Sequence, residues 1–129
     1  MDIERRQYPR VPTDESIQII DADGSVLPAV ALDISLLGMQ LLCDSLTARR
    51  VTRNLDAADS IQVRFPVTTA DGIGSVNAWC RVVYLRHFPE DECRLGLQYK
   101  SFVGASYNWL ESFVDQRVSY PDERLLAKH

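Results

Sequence analysis

From Ser16 to Tyr99 the chain alternates between apolar and polar positions in short runs broken by turn residues. Ile17 and Ile19 alternate with Gln18 and Ile20, and Asp21-Ala22-Asp23-Gly24 then reads as a turn. Val26 to Asp33 reads as a second strand, with Pro28 marking an edge position or a bulge, and Met39 to Cys43 as a third. Ile61 to Phe65 alternates cleanly and is expected to stop at Pro66, with a loop over Thr68 to Gly74. Ser75 to Arg86 predicts a long strand on which Val76, Ala78, Cys80, Val82 and Tyr84 share one face. After a turn at Pro89-Glu90-Asp91, Cys93, Leu95, Leu97 and Tyr99 alternate on the way back.

Two stretches break this rhythm. Between residues 44 and 59, Asp44 or Ser45 caps a short helix through Leu46, Val51 and Leu55, with Arg49, Arg50 and Arg53 facing water. Near the end the period lengthens: Tyr107, Leu110 and Val114 fall at helical spacing, and Trp109 and Phe113 widen the stripe. This predicts a helix from about Ala105 to Val118. The expectation is mainly β: six antiparallel strands forming a closed barrel or sandwich, followed by one packing helix. Residues 1–14, with Pro9 and Pro12, read as an arm; residues 15–118 as one domain; residues 119–129, with Pro121, as a tail.

Composition narrows the possible functions. The chain has 129 residues and a formal net charge of −4, against a general nucleic-acid or membrane-surface binder. No apolar run approaches the roughly 18–20 residues that span a bilayer, and the charged start does not resemble a signal peptide. A cytoplasmic protein is expected. Cys43, Cys80 and Cys93 are widely spaced without a C-x-x-C, and His87 and His129 are the only histidines. Buried free thiols explain these cysteines better than a metal site does. No Ser-His-Asp or Cys-His arrangement and no Gly-rich phosphate loop stands out, so an enzyme is not expected and no cofactor is implied.

Any anionic ligand therefore needs a local concentration of positive charge, and the arm provides one. It reads Glu4-Arg5-Arg6-Gln7-Tyr8-Pro9-Arg10, placing Arg6 and Arg10 in an R-x-x-x-R. Alone, such a basic tail is usually just solvated. The arginine fork, however, grips phosphate oxygens or guanine O6 and N7 through paired bonds and stacks on aromatic faces. Asp33-Ile34-Ser35-Leu36-Leu37-Gly38 forms a D-x-S-x-x-G between two strands. As a plain turn it uses Asp and Ser to cap backbone and Gly for a positive φ. As a site, Asp33 accepts from guanine N–H groups or orients an arginine, Ser35 offers a hydroxyl, and Gly38 admits close backbone approach.

In this order, R-x-x-x-R and then D-x-S-x-x-G one hairpin later, the two motifs resemble the signature of the PilZ family, receptors for cyclic di-GMP. The resemblance covers roughly residues 4–115 and implies a six-stranded barrel with a C-terminal helix. It implies that Arg6 and Arg10 clamp phosphate and guanine groups while Asp33, Ser35 and Gly38 line the neighbouring base. Arg5, directly before the motif, adds a third guanidinium, which the resemblance associates with two stacked ligand molecules per chain. Trp79 lies on the face opposite Cys80 and Val82, where it either stacks on guanine or packs beneath the helix or arm. Arg81, Arg86 and Arg94 read as solvated strand positions. The implied mechanism is a switch: ligand neutralises and orders the arm, and the new surface meets an effector protein. The alternatives are a PilZ-like protein adaptor that binds no nucleotide and a single-strand nucleic-acid barrel, the latter disfavoured by the net acidity.

Overall fold

The structure, a computed structural model, describes residues 9–53 and 61–119. Its strands are β1 (Val11–Pro12), β2 (Ser16–Ile20), β3 (Val26–Ile34), β4 (Gly38–Cys43), β5 (Ile61–Thr69), β6 (Gly72–Phe88) and β7 (Glu92–Phe102). Helix α1 (Ser45–Thr52) follows β4, and α2 (Ser106–Ser119) follows β7. The sheet runs β1-β3-β2-β5-β6-β7-β4, and the further β3–β4 pairing closes β2 to β7 into a six-stranded antiparallel barrel. Closure removes the unpaired strand edges that would otherwise invite aggregation. The alternating residues fill the interior, with Ile17, Ile19, Phe65, Val76, Leu95 and Leu97 at 4% exposure or less. Leu110, Phe113 and Val114 of α2 join the same core.

Within β1, Val11 and Pro12 pair with Ile34 and Asp33, and Val11 is buried. The arm is thus in register with the sheet from Val11 onward, despite Pro12. Strand β5 continues through Pro66 to Thr69, contrary to the expected stop. Pro66 pairs with Ser75 on β6, whereas β2 covers only residues 62–64, so β5 has an open flank there of the kind that tolerates proline. The expected 68–74 loop shrinks to Ala70 and Asp71, with Gly72 at φ 122 opening β6. Pro28 pairs with Gln18 beyond the last β4 contact of β3, an edge position as expected.

Asp44 caps α1 by accepting a 2.7 Å hydrogen bond from the Thr47 N–H. The buried side of α1 is Thr47, Ala48 and Val51, while Leu46 is exposed rather than inward, because its position on the turn faces away from the barrel. Leu55 lies outside the described residues. Arg50 does not simply face water. It donates to Ser25 Oγ at 2.8 Å and lies 3.7 Å from Asp21 Oδ2, tying α1 to the β2–β3 turn.

All three thiols are free and buried. Burial pushes Cys43 and Cys80 up to about 12 and raises Cys93 as well.

Candidate ligand site

Two bulges decide which side chains reach the outer surface. On β3 the register shifts between Ala31 and Asp33, so both Ala31 and Ile34 point into the core and Asp33 points outward. On β6 the register shifts between Val82 and Tyr84. The extra residue, Val83, reverses the alternation, so Leu85 faces Leu95 while Tyr84 faces Gly96 on the outside. Tyr84 therefore does not share the face of Val76, Ala78 and Cys80; the bulge turns it out.

Asp33 meets the arm directly. Its Oδ1 accepts from Arg10 Nη1 at 3.0 Å, with Arg10 carried to it by the β1 pairing of Pro12 with Asp33. Ser35 is buried and spends its hydroxyl on the turn. Its Oγ accepts from the Leu37 N–H at 3.0 Å and the Gly38 N–H at 3.1 Å, and it donates to the Gly38 carbonyl. The bland reading of this serine is correct as far as it goes: it fixes the loop. Gly38 is a glycine for a different reason from the one expected. Its φ is not among the positive ones. A Cβ there would lie 2.0 Å from the Leu97 carbonyl oxygen, so β7 backbone takes up the space a side chain needs.

Around this loop the surface sinks into a cavity of about 310 Å³. It is lined by Arg10, by Ser35, Leu37, Gly38 and Met39, by Val83 and Tyr84, and by Gly96, Leu97 and Gln98. Three residues expected from the two motifs, Arg10, Ser35 and Gly38, thus share one concavity, and Asp33 holds Arg10 at its rim. Leu37 and Val83 stand exposed on its lips, at 48% and 57%. Arg5 and Arg6 lie outside the described residues. Trp79 does point out of the barrel, at 39% exposure, but it does not line the cavity. It lies on the outer face two residues from Arg81, whose Nη2 donates to Gln98 Oε1 at 2.7 Å.

A family model described as the PilZ domain matches residues 4–116. The chain belongs to the PilZ family. The barrel and its C-terminal helix are also those of solved PilZ structures. The PilZ domain of YcgR from Escherichia coli, described with c-di-GMP, matches at a TM-score of 0.56 and 19% identity, covering 96% of this chain and 95% of that one. The Bacillus subtilis inhibitor of motility MotI/DgrA gives a TM-score of 0.65 and 14% identity over 90% of this chain; the PilZ chain spans about half, 52%, of its length. The MrkH–c-di-GMP complex of K. pneumonia matches at 0.58 and 15% identity, covering 97% of this chain and 56% of that one. At such identities these likenesses concern the fold. No functionally curated protein matches the sequence. Among the described residues no helix is long and apolar enough to cross a membrane, and no group of His, Cys, Asp and Glu is placed to hold a metal ion.

Sequence reasoning overlooked Tyr84, Val83, Gly96 and Gln98. The signal available was Gly96 itself: a glycine inside a strand pattern marks a place where another group comes close.

Proposed function

We propose that this PilZ domain is a cytoplasmic receptor for cyclic di-GMP, not an enzyme, and that it signals to a protein partner. One observation carries the reading. Two motifs separated by a hairpin bring Arg10, Ser35 and Gly38 to one cavity, and Asp33 binds Arg10 there at 3.0 Å. Structures described with c-di-GMP share the fold, including the YcgR domain and MrkH.

In this reading Arg10 pivots from Asp33 onto a ligand phosphate or guanine edge, and Arg6 supplies the second fork. Arg5 adds a third cation, which suits two stacked ligand molecules with four phosphates between them. Asp33, released or shared, accepts from guanine N–H donors. Ser35 keeps the loop in shape and Gly38 keeps the floor open. Trp79 stacks on whatever part of the ligand extends past Gln98 and Arg81, a contact worth about 1–3 kcal/mol per base. Neutralised, the arm closes over the cavity, and arm and barrel together form the surface an effector protein reads. Amide exchange over residues 1–14 is expected to slow on addition of ligand.

A thermal-shift comparison tests the reading. Cyclic di-GMP at about a hundred times its dissociation constant stabilises the folded state by about 2.7 kcal/mol. The Arg6→Ala/Arg10→Ala double variant is expected to lose that shift while unfolding at a similar temperature without ligand. A wild-type protein that melts identically with and without cyclic di-GMP points to the nucleotide-independent adaptor instead.

A further inference from the structure

The cavity occupies one end of the β4–β7 ladder, where Gly38 pairs with Gln98. At the other end Cys43 pairs with Cys93. Directly opposite residues of an antiparallel ladder share a face, with their Cα atoms about 4.5–5.5 Å apart. That spacing falls within the roughly 4.4–6.8 Å that a disulfide bridges. Both side chains turn inward, Cys43 at 9% exposure and Cys93 at 0%. Cys80, by contrast, pairs with Ile61 on β5 and Tyr99 on β7, so no thiol stands opposite it.

A base stands on the far side of Cys93. His87 is its partner in the β6–β7 ladder, and His87 Nδ1 lies 3.3 Å from Cys93 Sγ. Cys43, Cys93 and His87 thus form a row across β4, β7 and β6, and the exposed His87 carries the row to solvent. With its proton on Nε2, the imidazole accepts from the thiol through Nδ1. The hairpin turn beside the row holds Glu90 and Asp91 at φ 65 and 62, a left-handed backbone that residues other than glycine rarely adopt. The Asp91 carboxylate, accepting from the Ser45 N–H at 3.1 Å, ties this strained tip to α1. Local opening there admits a molecule as small as a peroxide.

We propose that Cys43 and Cys93 are an oxidisable dithiol, which a peroxide converts to a disulfide stapling β4 to β7, with His87 as the base. The Cys93 proton passes to His87 Nδ1, and the thiolate attacks hydrogen peroxide. The O–O bond breaks, Cys93 becomes a sulfenic acid, and hydroxide leaves as water with the proton from His87. The Cys43 sulfur then attacks the Cys93 sulfur. The S–O bond breaks, and a second water leaves with the Cys43 proton. Two thiols lose two electrons to form one disulfide, and the peroxide is reduced to two waters. Burial favours the protonated form of both thiols, so the reaction is slower than at an exposed cysteine and depends on the histidine. The inference stands apart from the receptor reading and needs no nucleotide.

The test treats the reduced, folded full chain with excess hydrogen peroxide and then counts free thiols with N-ethylmaleimide after denaturation. Of the three thiols, two are expected to be lost and to return with dithiothreitol, and peptide mapping should join Cys43 to Cys93 within one chain. His87→Gln is expected to slow the loss severalfold while leaving the melting temperature of the reduced protein unchanged. In Cys43→Ser, the Cys93 sulfenic acid should persist long enough for dimedone to trap it. Three thiols surviving in the folded wild type overturn the dithiol, as does a bridge that involves Cys80, joins two chains or forms only in urea. These outcomes are read on the wild type, so they hold if a variant does not fold. An unchanged rate in folded His87→Gln overturns the role of the histidine.

Discussion

Arg10 Nη1 and Asp33 Oδ1 lie 3.0 Å apart, joining the arm motif to the loop motif across 23 positions of sequence. The Arg10 side chain is 66% exposed, so this pair sits in high dielectric and is worth at most about 1 kcal/mol to the fold. Its value lies in placement. It places the guanidinium at the cavity rim, where in the proposed receptor reading a ligand phosphate competes for it.

Asp33→Ala is therefore expected to separate stability from binding. Chemical denaturation should show a loss of less than about 1 kcal/mol, whereas affinity for cyclic di-GMP should fall at least tenfold. A variant that unfolds much more easily assigns Asp33 a structural role instead.

Gly38→Ala is expected to be costly even without ligand. The new methyl would meet the Leu97 carbonyl oxygen, which is backbone and has little room to retreat. Overpacking of this kind costs about 1–3 kcal/mol, measured as a lowered denaturation midpoint. A neutral substitution would show that β4 and β7 can part there.

Ser35→Ala strands the Leu37 and Gly38 N–H groups that its oxygen now accepts from. Both bonds are only part-buried, so water recovers some of the loss and each stranded donor is expected to cost less than the about 1–3 kcal/mol of a fully buried one. Ser35→Thr, which keeps the oxygen, is expected to lose less, and the two melting temperatures together report whether the hydroxyl or the methylene matters.

Stability should decline on the alkaline side. Burial raises Cys43 and Cys80 to about 12 and holds Tyr99 well above its ordinary value. Below the ordinary thiol pKa of about 8.5 both folded and unfolded chains keep these protons, and there is no effect. As pH rises further the unfolded chain releases protons that the native thiols retain, which favours unfolding until about 12. The tyrosine adds the same sign from about pH 10 upward. Melting temperature measured from pH 7 to 11 should fall, and Cys80→Ala should flatten the decline relative to its own value at pH 7.

The strands and the closing helix were legible because their apolar residues keep strict periods, as Ile17 and Ile19 do on β2 and Leu110 and Val114 do on α2. What periodicity cannot register is a single inserted residue. Val83 shifts parity without changing composition, so Tyr84 was expected inside and instead stands outside, lining the cavity beside Val83. Pro66 was overestimated as a stop because tolerance of proline depends on whether a neighbouring strand reaches that far, a tertiary fact. The two motifs identified Arg10, Ser35 and Gly38 as neighbours in space, but not their local tasks. Ser35 serves the turn first, and Gly38 answers to Leu97 rather than to a positive φ.

Calorimetric titration of cyclic di-GMP into the full chain, beside Arg6→Ala/Arg10→Ala, tests receptor function most directly. Saturable binding near two molecules per chain, lost in the folded double variant, is the expected result; saturation at one molecule would remove only the stacked pair. No heat from a folded wild type, confirmed by an independent method such as ligand-observed resonance, would contradict receptor function itself.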